Sequence, residues 1–296
     1  ENPACSVESV PVSVNDRTRF IYEAACCGLR DFFVKNGYKK ACVGVSGGID
    51  SAVVACLAVA ALGAENVRGL MMPSQFSSEG SVEDAKQLAE NLGIEFHVVP
   101  ITEAYRSIVD TLIPVIGGTD FDATEENIQS RIRTLMLMAL QNKNGYVLLN
   151  CSNKSENALG ICTLYGDTGG AFSVTGDLYK TEMYDLARYI NRKFGAPIPE
   201  NILTKEPSSE LRPNQKDSDM LPSYEVVDAI LYRLIEDGQS REEIINAGFD
   251  SDEVQKIYAM VMRNEKKRFQ YPPVLRLSSS SFGHEYRMPL THKYVK

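Results

Sequence analysis

The apolar residues of this chain fall into two kinds of stretch, short continuous runs and longer segments at helical spacing. Phe20 to Phe33 is of the second kind and predicts a helix, while Ala41 to Val45 is a short buried-strand run. An Ala/Val/Leu-rich helix follows from about Ser51 to Leu62, and Val67 to Met72 predicts a second strand. Ser78-Glu79-Gly80-Ser81 opens a helix through Asn91 that Gly93 closes. Ile94 to Val99 predicts a third strand, Glu103 to Ile113 a helix, and Thr124 the cap of a long helix through about Asn142. Tyr146 to Asn150 is a fourth strand. Strands and helices alternating in this way predict an α/β fold, a doubly wound and mostly parallel sheet with helices on both faces. Ligands of such sheets sit outside the carboxyl ends of the strands.

Beyond Pro197 the pattern changes. Thr204 to Ser223 is polar, contains three prolines and has no apolar period, which marks a functional lid or a disordered segment. Three helices (about 224–237, 241–247 and 251–268) then form a C-terminal helical extension, followed by a tail with Pro272-Pro273 and Ser278 to Ser281. Residues 1–15 are polar, contain proline and read as a linker or tail. The rest, 16–296, reads as one catalytic unit.

Composition narrows the function. Lys and Arg number 31 against 39 Asp and Glu, a net charge of −8, which argues against coating nucleic acid or an anionic membrane. No run of 18 apolar residues is present to span a membrane. The seven cysteines are odd in number, lack a CxxC pair and lie mostly in apolar stretches, which fits buried thiols in a cytoplasmic protein. Only three histidines are available, too few for a His-rich metal centre.

The first strand ends in Gly44-Val45-Ser46-Gly47-Gly48-Ile49-Asp50-Ser51. Glycines let backbone N–H groups approach a ligand, a helix start adds about half a positive charge, and two serines supply further donors, so the loop is an anion site. It is neither a Walker A loop nor GxGxxG. Asp50 would repel a phosphate there unless Mg²⁺ lies between them. The bland alternative is a tight strand-to-helix turn with an N-cap serine.

Ser-Gly-Gly-Ile-Asp-Ser after an apolar strand resembles the pyrophosphate-binding loop of the N-type ATP pyrophosphatases. Six further stretches resemble the signatures of NAD⁺ synthetase, in the family's order from about residue 18 to 273. They are Glu126 to Arg133, Asn153 to Gly160, Tyr165-Gly166-Asp167, Gly176 to Lys180, Glu206 to Leu211 and Lys266-Lys267-Arg268. The resemblance implies a ligase that amidates deamido-NAD⁺ with ATP and ammonia, through an adenylated nicotinate, releasing AMP and pyrophosphate. It implies ATP contacts from the 44–51 loop, Cys151, Lys180 and Ser208. It implies Mg²⁺ on Asp50 and Glu156, with Asp50 and Lys180 central to catalysis. Asn127, Arg131, Glu156, Ile161, Leu164 and Lys267 fall on the deamido-NAD⁺ side.

Each residue also has an ordinary reading. Glu156 suits a first-turn helix acid, Lys180 a solvated lysine, and Arg131 with Arg133 an exposed helix face. Ile128, Ile132, Leu135, Met136 and Ala139 form a stripe that is usually core, although the family uses this 124–142 helix in a homodimer. Leu164 stands where ammonia-only family members carry lysine, Ala171 where they carry an acid, and Cys151 where threonine is common. These departures resemble the synthetase half of the glutamine-dependent enzymes. The chain is therefore expected to be an isolated C-terminal synthetase domain, whose nitrilase-like glutaminase half would lie N-terminal to it. Alternative readings are another ATP pyrophosphatase, such as a tRNA-thiolating one, or a non-catalytic nucleotide-binding module.

Overall fold

The computed structural model describes residues 14–118, 120–213, 215–283 and 285–293. Its centre is a sheet of five parallel strands, β1 (Lys40–Gly44), β2 (Val67–Met71), β3 (Glu95–Val98), β4 (Tyr146–Asn150) and β5 (Phe172–Ser173). Their spatial order is β3-β2-β1-β4-β5. Ala41 pairs with Val67 on one side of β1 and with Val147 on the other. The chain thus winds outward from β1 in both directions, and the gap between the ends of β1 and β4 is the switch point where such folds bind ligands.

The helices are, in chain order, α1 (Val14–Asn36), α2 (Ile49–Leu62), α3 (Glu79–Leu92), α4 (Thr102–Ile116), α5 (Ala123–Asn144) and α6 (Lys154–Leu159). They continue with α7 (Lys180–Phe194), α8 (Glu200–Thr204), α9 (Tyr224–Ile235), α10 (Arg241–Asn246), α11 (Ser251–Arg263) and α12 (Glu265–Arg268). Side chains alternate across the strands, so Ala41, Val43, Val147 and Leu149 pack against α1, α2, α3 and α7. Cys42, Leu70, Tyr146 and Leu148 pack against α4 and α5 on the opposite face. Both faces are covered, which explains why β1 and β4 are almost continuously apolar. A separate cluster joins α6 to α9, α10 and α11. Among the described residues no helix is long and apolar enough to cross a membrane. The six described cysteines are free thiols, and Cys5 lies outside the described residues.

The expected strands and helices recur within a few residues. Helix α1 starts at Val14, inside the stretch read as linker, and residues 1–13 lie outside the described range. The cap of α5 is Asp122 and not Thr124, because the Asp122 carboxylate accepts from the Thr124 N–H at 2.6 Å while Glu125 bonds back to the Asp122 N–H at 2.8 Å. Helices α6, α7 and α8 and strand β5 fill a region that the pattern left unassigned. Strand β5 has two residues and α6 has six, too few for a period to declare itself. Among its described residues the Thr204–Ser223 stretch holds, beyond the last residue of α8, one 3-10 turn at Asp217–Asp219.

Candidate functional site

At the switch point a cavity of about 330 Å³ opens, the size of a small-molecule site. Its floor is the turn from β1 into α2. The turn ties itself down: Ser51 Oγ donates to the Gly48 carbonyl at 3.0 Å, and the Gly48 N–H donates to Ser46 Oγ at 3.2 Å. Gly47 has φ +77°, and a Cβ there would lie 2.2 Å from the Ser81 carbonyl oxygen, so only glycine fits. Gly48 caps α2 without a side chain. The first turn of α2 therefore opens onto the cavity with its N–H dipoles, as an anion site requires.

Three charged side chains meet beside this turn. Lys180 Nζ, at the start of α7, lies 2.6 Å from Asp50 Oδ2 and 3.5 Å from Glu156 Oε1. Asn153 donates to Asp50 Oδ1 at 3.0 Å and also caps α6, accepting from the Glu156 N–H at 3.0 Å. Glu156 Oε2 returns a bond to the Asn153 N–H. Glu156 is thus both a first-turn helix acid and a member of the charged centre. Burial and the charge of Asp50 push its carboxyl up to about 8, against Lys180. Burial pulls Lys180 down, but Asp50 and Glu156 outweigh it and hold the ammonium above its ordinary value. Two hard carboxylate oxygen donors facing one cavity suit Mg²⁺, which is bound by one or two carboxylates plus substrate phosphates. Among the described residues no group of three or more such side chains forms a complete metal cage.

Lys180 is held from behind. Its backbone N–H donates to Ser155 Oγ at 2.9 Å, that hydroxyl donates to Asp228, and Asp228 accepts the Thr181 N–H at 2.8 Å. Below it Lys154, fully buried, pairs with Asp177 at 2.9 Å and with Glu236. These bonds fix α6, α7 and α9 as one support.

Of the residues expected at a site, Gly44, Val45, Ser46, Gly48, Ile49, Asp50 and Ser51 line the cavity. Cys151, Glu156, Ile161, Lys180 and Ser208 line it with them. Gly47 shapes the turn from beneath without lining the cavity. Asn127, Arg131, Leu164 and Lys267 do not line it. Three of these instead brace the loop after α6. Asn127 accepts from Thr163 Oγ1 at 2.6 Å, Arg131 donates to the Leu164 carbonyl at 3.1 Å, and Lys267 donates to the carbonyls of Gly160 and Cys162.

Arg133, expected with Arg131 on an exposed helix face, lines the cavity instead, as do Lys205 and Asp217, which the sequence did not single out. Arg131 is exposed, but Arg133 is half-buried, donates to the Met72 carbonyl at 2.9 Å and turns toward the cavity. Helical spacing separates the two arginines: Arg133 lies four residues from the buried Gln129 and four from the buried Leu137, whereas Arg131 lies four from the exposed Leu135. Lys205 bonds Ser81 Oγ at 3.1 Å and Asp84 at 2.9 Å, and Asp217 accepts from Tyr224 OH at 2.9 Å. No local signal in the sequence marks either of them.

A parallel α/β sheet with an anion loop and carboxylates at its switch point defines a nucleotide-handling class of protein. The sequence profile of the NAD synthase family matches residues 21–271. The chain belongs to that family. It is 52% identical to the glutamine-dependent NAD(+) synthetase of Aquifex aeolicus over 276 residues, covering 93% of this chain and 48% of that protein. It superposes with a TM-score of 0.64 on the glutamine-dependent NAD+ synthetase of Acinetobacter baumannii in complex with ADP, at 41% identity, covering 96% of this chain and 51% of the other. The NH3-dependent NAD synthetase of Campylobacter jejuni gives a TM-score of 0.68 at 31% identity, covering 84% of this chain and 96% of that one. The chain spans about half the length of the glutamine-dependent relatives it matches.

Proposed function

We propose that this chain is an ATP-dependent ligase that converts deamido-NAD⁺ to NAD⁺, with ammonia as the nitrogen donor. The observation that carries this reading is the meeting of Asp50, Glu156 and Lys180 beside the open first turn of α2. An anion loop alone binds phosphate. A loop faced by two carboxylates and a buried lysine is built for a phosphate that arrives with a cation and must leave.

In this reading the 44–51 loop holds the two phosphates that depart as pyrophosphate, and Lys180 neutralises their charge. Asp50 and Glu156 would hold Mg²⁺, which supplies charge neutralisation at the phosphates when bound. The nicotinate carboxylate attacks the α-phosphorus and forms an adenylate. Ammonia then adds at the activated carbonyl carbon, loses a proton and displaces AMP. Positioning does most of this work, consistent with a site in which, among the described residues, no nucleophile is paired with an activating base. Ser208 approaches from the 205–211 arm. The 160–165 loop, braced by Asn127, Arg131 and Lys267 and carrying Ile161 and Leu164, is the proposed floor for the nicotinate side. Free thiols, of which Cys26, Cys42 and Cys56 are buried and Cys27 is exposed, suit the cytoplasmic setting we assign.

Two further proposals concern assembly. Residues 16–296 form the synthetase domain after a 1–15 linker, and a glutaminase domain supplies ammonia where one is present, as the glutamine-dependent relatives suggest. The chain alone then uses ammonium and fails with glutamine. Helix α5 exposes Leu135 while burying Ile128 and Ile132, which leaves an apolar strip for the same helix of a second copy.

The test mixes the protein with ATP, Mg²⁺, deamido-NAD⁺ and ammonium, and follows NAD⁺ and pyrophosphate. Asp50→Asn should keep the fold and lower turnover by at least ~100-fold, since several kcal/mol of transition-state stabilisation go with the carboxylate. Turnover only with another acceptor, or nucleotide binding without turnover, rejects the proposal.

A further inference from the structure

Three elements meet at the first turn of α3, and only one of them belongs to the charged centre. Glu210 reaches this turn from the 205–211 arm. Its Oε1 accepts from Ser78 Oγ at 2.7 Å and Ser81 Oγ at 2.8 Å, and its Oε2 accepts the Ser78 N–H at 3.2 Å. Ser78 already caps the Ser81 N–H, so Glu210 adds a second, remote cap from more than a hundred residues away. A carboxylate at a helix start is further favoured by the dipole. Glu210 pays for this placement with φ +48°, a left-handed conformation that a non-glycine residue adopts only where its surroundings demand it. At the other end of the arm, Lys205 bonds the same Ser81 hydroxyl and Asp84. Ser208, between them, receives the Glu210 N–H at 3.1 Å.

The opposite side of the turn touches the anion loop. The Ser81 carbonyl presses on Gly47 so closely that no side chain fits between them. Ser81 therefore binds the arm through its hydroxyl and the loop through its backbone. We propose that Glu210 is a positioning residue that latches the 205–211 arm onto α3 and, through Ser81, keeps the anion loop set for phosphate. Glu210 also borders the cavity, but its carboxylate is engaged by Ser78 and Ser81. It holds Ser208 over the cavity and Gly47 beneath it in one unit. The latch rests on the reading of the cavity as an ATP site for its kinetic effect, but not for its structural one.

The Ser78 N–H finds its acceptor in Glu210, which makes its hydrogen exchange a direct readout in the absence of any nucleotide. Glu210→Gln should speed exchange in a peptide spanning 76–82 about tenfold, as expected when charge-assisted bonds are weakened. It should raise KM for ATP by about the same factor with kcat within about twofold, because a site competent for part of the time binds more weakly but reacts as fast when full. Ser81→Ala should do likewise, and the double variant should be no worse than about twofold beyond either single one, since both changes break one shared contact. Unchanged exchange in Glu210→Gln overturns the latch even if turnover is normal. Faster exchange in a protein that forms no NAD⁺ upholds the latch and rejects the activity. Independent, multiplying effects of the two substitutions also overturn the shared contact.

Discussion

Lys180→Met is the most informative single change to the charged centre, because it removes the ammonium while keeping most of the side-chain volume. Nζ lies 2.6 Å from Asp50 and 3.5 Å from Glu156, and it is almost wholly buried. At an effective dielectric constant of about 20 these separations correspond to about 6 and about 5 kcal/mol of attraction. Desolvation of the ammonium offsets much of that, and breaking buried pairs costs about 3–5 kcal/mol in practice. We therefore expect a loss of about 3–5 kcal/mol at pH 9, where both carboxylates carry charge in the native protein. The loss should depend on pH. Burial and Asp50 raise Glu156 to about 8 and Lys180 holds it down, so the variant's Glu156 binds its proton at still higher pH. A carboxyl whose folded pKa is raised makes the folded state more stable as pH falls through that value. The deficit of the variant should then narrow as pH falls from 9 to about 8, by at most about 1.4 kcal/mol over that unit, and hold constant below it. Urea denaturation in chelated buffer at pH 9, 8, 7 and 6 measures this. Pyrophosphate release should fall by at least ~10²-fold, the effect of losing one preorganised charge partner. A deficit that is the same at every pH, or below about 1 kcal/mol throughout, would refute the coupling of the three side chains.

Other expectations follow from single contacts. Gly47→Ala places a Cβ 2.2 Å from a backbone oxygen at φ +77°, and should lower stability by about 2 kcal/mol or more with loss of phosphate binding; an unchanged melting temperature contradicts the contact. Burial, opposed by bonds from Ser155 and Thr181, pushes Asp228 up to about 6 from an ordinary value of 3.8. The folded state then holds more protons than the unfolded one between those values. Stability should fall by up to about 3 kcal/mol as pH rises through that window and level off above it. Asp228→Asn should flatten that slope, and an identical pH profile in the variant rejects the assignment. Leu135 is 67% exposed on α5, so Leu135→Asp should leave monomer stability within about 0.5 kcal/mol. Sedimentation should find the native chain dimeric and the variant monomeric; a native monomer removes α5 as an interface.

Much of the scaffold was legible because burial on both faces writes itself into sequence. Val43 and Leu149 are apolar for the same reason, each lying on a strand covered by helices on either side. The anion loop was legible too, since Gly47 and Gly48 answer a backbone need and Asp50 stands out as a carboxylate aimed at anions. Helix α5 shows where such reading stops. The stripe Ile128, Ile132, Leu135, Met136 and Ala139 predicts one face, yet Leu135 and Ala139 are exposed while Ile128 and Ile132 are buried. A heptad drifts only about 20° around the helix, so these residues do share a face. What separates them is position along α5, which neighbouring elements cover near Ile128 and Ile132 but not near Leu135 and Ala139, and periodicity does not record that.

What remained illegible has a common cause. Glu210, Lys205 and Asp217 act through partners far away in the chain: Ser78 and Ser81, Asp84, and the charged centre. Nothing periodic connects Glu210 to Ser78 across 132 residues. Local rules still leave a trace, because a remote contact must be accommodated locally at each end. Glu210 sits in a left-handed conformation, Ser78 to Ser81 begin a helix with two hydroxyls, and Gly47 gives up its side chain. Each is unremarkable alone. Together they mark the one turn that the arm, α3 and the anion loop share, so a site that assembles across the fold is best sought where separate local exceptions converge in space.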